Sequence, residues 1–444
     1  MIDAARHFAR QIYLTANLFR LDRLAPAALA SWQLQRLQTM VAHAYTQVPF
    51  HQRRMQAAGV GPHTIRSLAD LAKLPTMTKA DVSAATDLLA TGYDETNSLR
   101  ESTSGSSGQR LQMYHDFDAY DFYTACTYRQ YAESGYRPWH RRAYFRWMAF
   151  PRRLPTERFG LLRRYFVPIS ASPEEQLASL LECRPDLICA YPSTLLTMVR
   201  TLPASAIASI KPRMIEVNSE HISADERALL EQRFGCPTFN EYSSFELYSM
   251  AFECRHRRMH VVAENIILEI LNPAGDPAAD GETGEIVVTG LHNRAMPFIR
   301  YRTGDLAIAS SERCPCGRSH PVIKDILGRR DDHILLAGGR SVSPFLLTGI
   351  MLALPQVREY QIEQQTLDRV VVSVITRAAG AERQAFADAI KQKIRAIVDD
   401  PGIVIEVQFV ATIGRGATGK RRNVVVSPDI YQEQASVQNA YALV

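Results

Sequence analysis

The chain has little cysteine: seven residues in 444, an odd number. Cys126, Cys183, Cys189 and Cys236 stand singly, while Cys254, Cys314 and Cys316 lie in polar contexts. That usage in a chain of this size argues against a disulfide framework. An excess of one charge is lacking too. The 51 Lys and Arg against 46 Asp and Glu leave a formal net charge of +5, too mild by itself to imply a nucleic-acid partner. No apolar run is long enough to span a bilayer. The first residues, MIDAARHFARQIYLTANLFRL, space their apolar side chains at helical intervals between Asp3, Arg6 and Arg10. They lack the continuous core of a secretory signal and predict an amphipathic helix in a cytoplasmic protein. No internal repeat stands out. What remains is an ordinary globular composition, 46% hydrophobic and 22% charged, long enough for more than one domain.

The texture changes along the chain. LQRLQTMVAHAYTQVPFHQRRMQAAGV predicts helix, a proline break, then helix, and Thr78 is the expected N-cap of the next short helix. HDFDAYDFYTACTYRQYAESGY carries apolar and aromatic residues at helical spacing. From Asp186 onward strand and helix alternate: DLICAY, then PSTLLTMVRTL, RMIEVNS, SADERALLEQRFG and TFNEYSS. Alternation of that kind predicts a parallel α/β sheet. After Glu264 the segments ENIILEIL, GEIVVTG, FIRYRTGDLAIAS and DHILLAGG are β-rich with Gly, Pro and Asp turns. The end of the chain predicts a small β-α-β unit followed by a basic, glycine-rich loop, GRGATGKRRN. A domain boundary is expected near Leu327–Ile334, giving residues 1–328 and 329–444.

Five short stretches carry chemistry. STSGSSGQR, Ser102 to Arg110, can wrap backbone N–H groups and hydroxyls around a phosphate, although it lacks the lysine of a P-loop and is no dinucleotide fingerprint. Taken alone, a solvated linker explains it as well. NEYSSFE, Asn240 to Glu246, ends a strand, where ligands gather in open α/β sheets. Tyr242 could lie against a purine and Glu246 could hold Mg²⁺; an ordinary strand end is the plainer reading. In YRTGDLA, an Asp305 placed at a turn could accept from a ribose diol, and Gly-Asp is also a common turn. In GRRDD, Arg329 could reach nucleotide oxygens and Asp331 could be a hinge; a solvated charged linker is the alternative. In ATGKRR, Lys420 could neutralise developing phosphoryl charge, or be one more surface lysine.

Together, in this order, these motifs resemble the adenylate-forming superfamily of acyl-CoA synthetases and adenylation domains. The resemblance is greatest to the phenylacetate–CoA ligase branch and runs over nearly the whole chain. It includes HAYTQVPFHQRRM and LAKLPTMTKADV near the start, TSGSSG, NSEHI at Asn218–Ile222, EYSSFE, YRTGDLA, LGRRDDHI and GKRRNVV. The fold it implies is α/β: a large N-terminal adenylation domain with parallel sheets and a β-rich subdomain, plus a small mobile α+β C-terminal domain. It implies that Ser102, Thr103, Ser104, Gly105, Ser106, Ser107 and Gly108 hold ATP phosphates. Ser219, Glu220 and His221 would lie along adenine, and Asn240, Tyr242, Ser243 and Ser244 would complete the nucleotide pocket. Glu246 would bind Mg²⁺, Asp305 and Arg329 the ribose, with Asp331 as hinge and Lys420 as the lysine of the adenylation half-reaction. Two departures stand out. Ser243 and Phe245 occupy places where the family usually has Gly and a hydroxyl residue, and Arg110 replaces a usual proline.

ECRHRRMH and ERCPCGRSH offer Cys254, His260, Cys314 and Cys316, with His256 and His320 as alternatives. A Cys-Pro-Cys-Gly turn can place two thiolates on one ion, and a Cys and a His complete a tetrahedral structural Zn²⁺ site. Relatives in the same branch show a similar set. The expected activity is ATP-dependent adenylation of a carboxylic acid, an aromatic one by preference. Transfer to CoA or to the phosphopantetheine of an acyl carrier protein would follow. An acyl pocket is expected at the turn Ala190–Ser193 and the aromatics Tyr128–Tyr136. No nucleic-acid partner or stable membrane insertion is expected, and a homodimer is left open. Two alternatives remain beside this reading: an amide or ester synthetase with an amine or hydroxyl acceptor, and an inactive nucleotide-binding homologue.

Overall fold

The computed structural model describes residues 2–102, 111–146, 150, 154–329, 333–336, 341–342, 344, 347, 350–351, 354–376, 378, 380, 382–398, 400–414, 422–427 and 430. Its first helices stop and start where prolines and caps dictate. Helix α1 spans Ile2–Leu21, α2 Pro26–Gln47 and α3 Pro49–Ala57. Pro26 and Pro49 each open a helix, because a first-turn residue needs no intrahelical N–H donor. Helix α4, Lys79–Ala84, opens on a reciprocal cap. Thr78 Oγ1 accepts from the Asp81 N–H at 3.1 Å, and Asp81 Oδ2 accepts from the Thr78 N–H at 2.7 Å.

Strands β1 (Ser98–Ser102) and β2 (Gln112–Asp116) pair antiparallel and flank the Ser/Gly stretch, whose residues 103–110 lie outside the described set. Asp116 then caps helix α5, Phe117–Glu133, accepting from the Ala119 N–H at 2.8 Å. The main sheet begins with β3 (Arg142–Arg146), β4 (Arg164–Pro168), β5 (Leu187–Ala190), β6 (Met214–Asn218) and β7 (Thr238–Ser244). These run parallel in the order β4-β3-β5-β6-β7. Helices α6 (Pro173–Cys183), α7 (Pro192–Thr201), α8 (Ala204–Ala208) and α9 (Ala224–Phe234) form the crossovers.

Side chains alternate across these strands. Phe145, Ile188, Ile215 and Val217 pack with Leu180, Leu195, Met198, Leu230 and Phe234 of the crossover helices. Leu187, Cys189, Met214 and Phe239 face Tyr131 of α5 on the other side. The β-rich segment does not stand apart. Strand β8 (Tyr248–Glu253) folds back antiparallel on β7. Strands β9 (Met259–Val261), β10 (Ile266–Leu271), β11 (Thr283–Gly290), β12 (Tyr301–Ala309) and β13 (Val322–Arg329) continue the same eleven-stranded sheet.

A second core contains residues 334–430 only. Strands β14 (Ile334–Leu335) and β15 (Ser341–Val342) form a short ribbon. Strands β16 (Val357–Thr366), β17 (Arg369–Thr376), β18 (Val404–Phe409) and β19 (Val424–Val426) form a four-stranded sheet. The helix Glu382–Val398 buries Phe386, Ile390, Ile394 and Val398 on it, an i, i+4 stripe. Among the described residues, no helix is long and apolar enough to cross a membrane.

Candidate active site

The parallel strands all end at one rim, the usual place for a ligand in such sheets. Strand β6 ends at Asn218, and the chain turns through Ser219 in the left-handed region, φ 65°. The turn leads into Glu220 and His221. Glu220 accepts from the Ser193 N–H at 2.9 Å and from its hydroxyl at 3.0 Å, fastening this segment to the start of α7. His221 is pushed down to about 3, by burial first and by the positive charge of Arg227 second, so its ring is neutral. His221, Asn240 and Ile326 line a cleft of about 420 Å³ whose floor includes Arg227, Glu253 and Lys324. Asn240 is held by its backbone N–H, which donates to Glu253 Oε2 at 2.9 Å.

One step along β7, the Tyr242 hydroxyl donates to Asp305 Oδ2 at 2.6 Å. Burial and the facing carboxylate together hold the Tyr242 phenol protonated far above its ordinary range. Asp305 lies inside strand β12, not at a turn after it. The reason is Gly304, at φ 77°, which bends the strand at a point of shifted register with β11. The Asp305 N–H donates to Thr303 Oγ1 at 3.1 Å. Arg329 is the register partner of Asp305 on β13, and its Nε lies 3.8 Å from Asp305 Oδ1. Gly328 at φ 77° sets the approach of that arginine.

Glu246 sits in the short turn between β7 and β8, and the buried Tyr301 hydroxyl donates to its Oε1 at 3.3 Å. Phe245 is 39% exposed and gives only its carbonyl, which accepts from His115 Nε2 at 3.0 Å. The Ser244 hydroxyl accepts from the Leu247 N–H at 3.2 Å and so stabilises the turn itself. The structure thus gathers Glu220, His221, Asn240, Tyr242, Glu246, Asp305 and Arg329 at one rim. The Ser102 side chain, Thr103–Gly108, Asp331 and Lys420 lie outside the described residues. Residue-by-residue reading missed Tyr301 and Thr303, both within the quoted YRTGD stretch.

Of the aromatics expected in an acyl pocket, Tyr131 and Tyr136 are core residues, buried with Leu187, Met214 and Phe239. Tyr128 alone of the tyrosines in Tyr128–Tyr136 keeps accessible surface. In the basic stretch from Arg141 to Arg164, Arg142 and Arg146 belong to β3 and Arg164 to β4. Arg142 is buried with its guanidinium 4.7 Å from the centre of the Tyr131 ring.

A second constellation lies at the far side of β8 and β9. Cys254, His260, Cys314 and Cys316 place their ligand atoms within 4.8 Å of one another. Cys254 Sγ and Cys314 Sγ are 3.6 Å apart, and Cys316 Sγ is 3.3 Å from His260 Nε2. A tetrahedral Zn²⁺ with Zn–S bonds of about 2.3 Å spaces its sulfurs by roughly 3.7 Å, so three thiols and one imidazole here fit that ion. Neither alternative histidine joins this set: among the described residues the four ligand atoms that cluster are those of Cys254, His260, Cys314 and Cys316, and His320 Nε2 lies 3.0 Å from Glu264 Oε1. Glu264, Asp22 and His320 form a buried cluster balanced by Arg129 and Arg318. Burial opposes ionisation of Glu264, but the Arg129 guanidinium and His320 hold its carboxyl down to about 2.

No family model matches the chain. It is 28% identical to phenylacetate-coenzyme A ligase of Thermus thermophilus, over 91% of this chain and 98% of that protein. It is 29% identical to phenylacetate-coenzyme A ligase of Escherichia coli K12, over 72% of this chain and 76% of that protein. Its fold matches the crystal structure of a 2-hydroxyisobutyryl-CoA ligase in the postadenylation state, in complex with 2-HIB-AMP. There the TM-score is 0.75 at 19% identity, covering 95% of this chain and 94% of that one. Relatives matching across most of the chain, and a shared fold of the same extent, agree with the ordered motifs: the chain is similar to phenylacetate-coenzyme A ligases and has the fold of the 2-hydroxyisobutyryl-CoA ligase.

Proposed function

We propose that the chain is an AMP-forming acid–thiol ligase working in the cytoplasm. The observation that carries this reading is the rim itself. An Asp305 carboxylate held by Tyr242, a neighbouring Arg329, a neutral His221 beside Asn240, and Glu246 all converge where the parallel strands end. In the first half-reaction a carboxylate oxygen of the acid attacks the α-phosphorus of ATP. An O–P bond forms, the bond to the bridging oxygen of the β-phosphate breaks, and pyrophosphate leaves. Glu246 would hold Mg²⁺, which supplies charge neutralisation on the phosphates. Asp305 accepts from the ribose hydroxyls, with Arg329 beside it. The segment Ser219–His221 and Asn240 lie along adenine. Ser102–Gly108 and Lys420 take the phosphate oxygens, where fixed donors stabilise charge that grows in the transition state.

The second half-reaction needs a different neighbour at the same pocket. The C-terminal unit turns about Asp331, withdrawing Lys420. The sulfur of CoA, or of a carrier-protein phosphopantetheine, attacks the acyl carbon. A C–S bond forms, the C–O bond to AMP breaks, and AMP leaves. Cys254, His260, Cys314 and Cys316 would hold a structural Zn²⁺ that ties the strand β9 region to the Cys-Pro-Cys turn. Incubating the protein with ATP, Mg²⁺ and a panel of acids, then with CoA, a phosphopantetheinylated carrier protein or free amines, tests the acceptor. Thioester in the thiol arms is expected; amide or ester alone would replace this reading.

A further inference from the structure

Glu246 stands on a turn whose backbone needs outside support. Tyr248, two residues on, has φ 56°, a left-handed conformation that is uncommon for a bulky residue and persists only where the surroundings hold it. Two side chains from another part of the fold do so. They come from β1 and β2, the strands on either side of residues 103–110. Glu101 Oε2, on β1, accepts from the Tyr248 hydroxyl at 2.7 Å. His115 Nε2, on β2, donates to the Phe245 carbonyl at 3.0 Å. The Tyr248 ring stacks on Tyr123 of α5 with centres 4.7 Å apart, and the His115 ring meets it edge-on at 5.2 Å.

The surroundings of His115 give its ring one direction. The side chain is buried. The Asn293 amide donates to its Nδ1 at 3.3 Å, and that amide is itself held by the Tyr114 carbonyl at 2.8 Å and the Asp116 N–H at 3.2 Å. A donor at Nδ1 leaves the ring proton on Nε2, pointed at Phe245. Burial, against the pull of the Phe245 carbonyl, lowers the ring to about 4, so it stays neutral with one donor and one acceptor. A ring needed only to fill the core could be Phe, with no polar atoms to bury.

The bonded oxygen belongs to the peptide unit that joins Phe245 to Glu246. That unit is planar, so fixing its oxygen fixes the direction in which Glu246 leaves the backbone. Tyr301 then takes the far end of the same side chain, donating to Glu246 Oε1 at 3.3 Å. The root and the carboxylate of Glu246 are both placed by neighbours.

We propose that His115 is a positioning residue for adenylation: through the Phe245 carbonyl, and with the Glu101–Tyr248 bond as a second tie, it holds the Glu246 carboxylate where Mg²⁺ and the phosphates meet it. The proposal rests on the ligase reading above. In this role His115 acts through Glu246 and not on ATP. A carboxylate already in place needs no rearrangement as charge develops on the phosphates.

The test is acid-dependent pyrophosphate release by the full chain, with Mg²⁺ and the acid varied in turn and melting curves confirming that each variant is folded. His115→Phe keeps a ring and removes both nitrogens. His115→Gln keeps an N–H long enough to reach the Phe245 carbonyl. His115→Phe is expected to lower kcat about tenfold or more and to raise the Mg²⁺ concentration for half-maximal rate about threefold or more, with the KM for the acid within about twofold. His115→Gln is expected to recover part of both losses. Adding His115→Phe to Glu246→Gln is expected to cost less than about threefold more, because the two residues act as one unit. A full further tenfold loss in that background makes His115 a general structural residue and overturns the proposal. So does an unchanged kcat and Mg²⁺ requirement in His115→Phe. If His115→Phe does not fold, His115→Asn, too short to reach Phe245, is read in the same way. Either overturning result, with the wild type active, leaves the ligase reading standing. No release with any acid by the wild type overturns the ligase reading, and this proposal with it.

Discussion

The Tyr242 hydroxyl and the Asp305 carboxylate, 63 residues apart in the chain, meet at 2.6 Å across strands β7 and β12. The contact aims one carboxylate oxygen and leaves the other toward Arg329 and the rim. If Asp305 accepts from the ribose, removing it costs the nucleotide and not the acid. Asp305→Ala is expected to raise the KM for ATP by roughly 10- to 100-fold, the scale of a lost hydrogen bond to a charged group. The KM for the acid is expected to stay within about threefold, on the same scale. Steady-state kinetics with each substrate varied in turn checks this. An equal rise in both constants contradicts the assignment.

Glu246 and Tyr301 form a second linked pair, with the phenol donating to the carboxylate at 3.3 Å. Burial and then the Glu246 charge raise the Tyr301 hydroxyl, which therefore remains a donor at any working pH. Glu246→Gln keeps the shape and removes the charge. Its adenylation rate is expected to fall about 10²- to 10³-fold, with a higher Mg²⁺ requirement. Tyr301→Phe is expected to lose much less. A Mg²⁺ titration of pyrophosphate release separates the two.

The thiol cluster gives a prediction independent of activity. One zinc per chain is expected by metal analysis of the purified protein. Cys314→Ser and Cys316→Ser are each expected to lose it and to unfold at lower temperature. Because the four ligands join β8, β9 and the segment after β12, a strong chelator is expected to lower Tm without competing with ATP. Protein that carries no zinc, with thermal stability unchanged in both variants, rules the site out.

Several histidines are buried neutral. Burial lowers His51 and His115 to about 4, and His221 and His292 to about 3. Their unfolded value is about 6.5, so the unfolded chain takes up protons first. Their contribution to stability is complete above pH 6.5 and is lost as pH falls toward 4, by up to about 1.4 kcal/mol per pH unit for each histidine. Glu216 and Glu241 act with the opposite sign. Their folded values are raised, so their contribution is present below the ordinary carboxylate range and is lost as pH rises through 7. Urea midpoints are therefore expected to drop sharply from pH 7 to pH 5. Glu241→Gln is expected to gain relative to the wild type above pH 7. Equal midpoints at pH 5 and pH 7 contradict the first expectation.

Much of this was legible locally. DLICAY became β5, TFNEYSS became β7, and Thr78 caps α4, because apolar period and capping are set by near neighbours. The cysteine cluster was legible by ligand type, although its halves are about sixty residues apart. Long-range pairing was not. The β-rich segment reads as its own unit until β8 is seen to pair back onto β7, an arrangement decided by sheet closure and not by local preference. YRTGD reads as a turn, but Gly304 makes it a bend inside a strand. Glu216 was the strongest overlooked signal: a charge in the middle of RMIEVNS, in a strand with helices on both faces.

The central claim is tested most directly by carboxylate-dependent release of pyrophosphate from ATP, measured over a broad panel of acids for the wild type and for Lys420→Ala. Release that requires both ATP and one class of acid is expected in the wild type. In Lys420→Ala it is expected to fall by about two orders of magnitude or more, with nucleotide binding retained. No acid-dependent release across the panel, or the same rate in Lys420→Ala, contradicts the account.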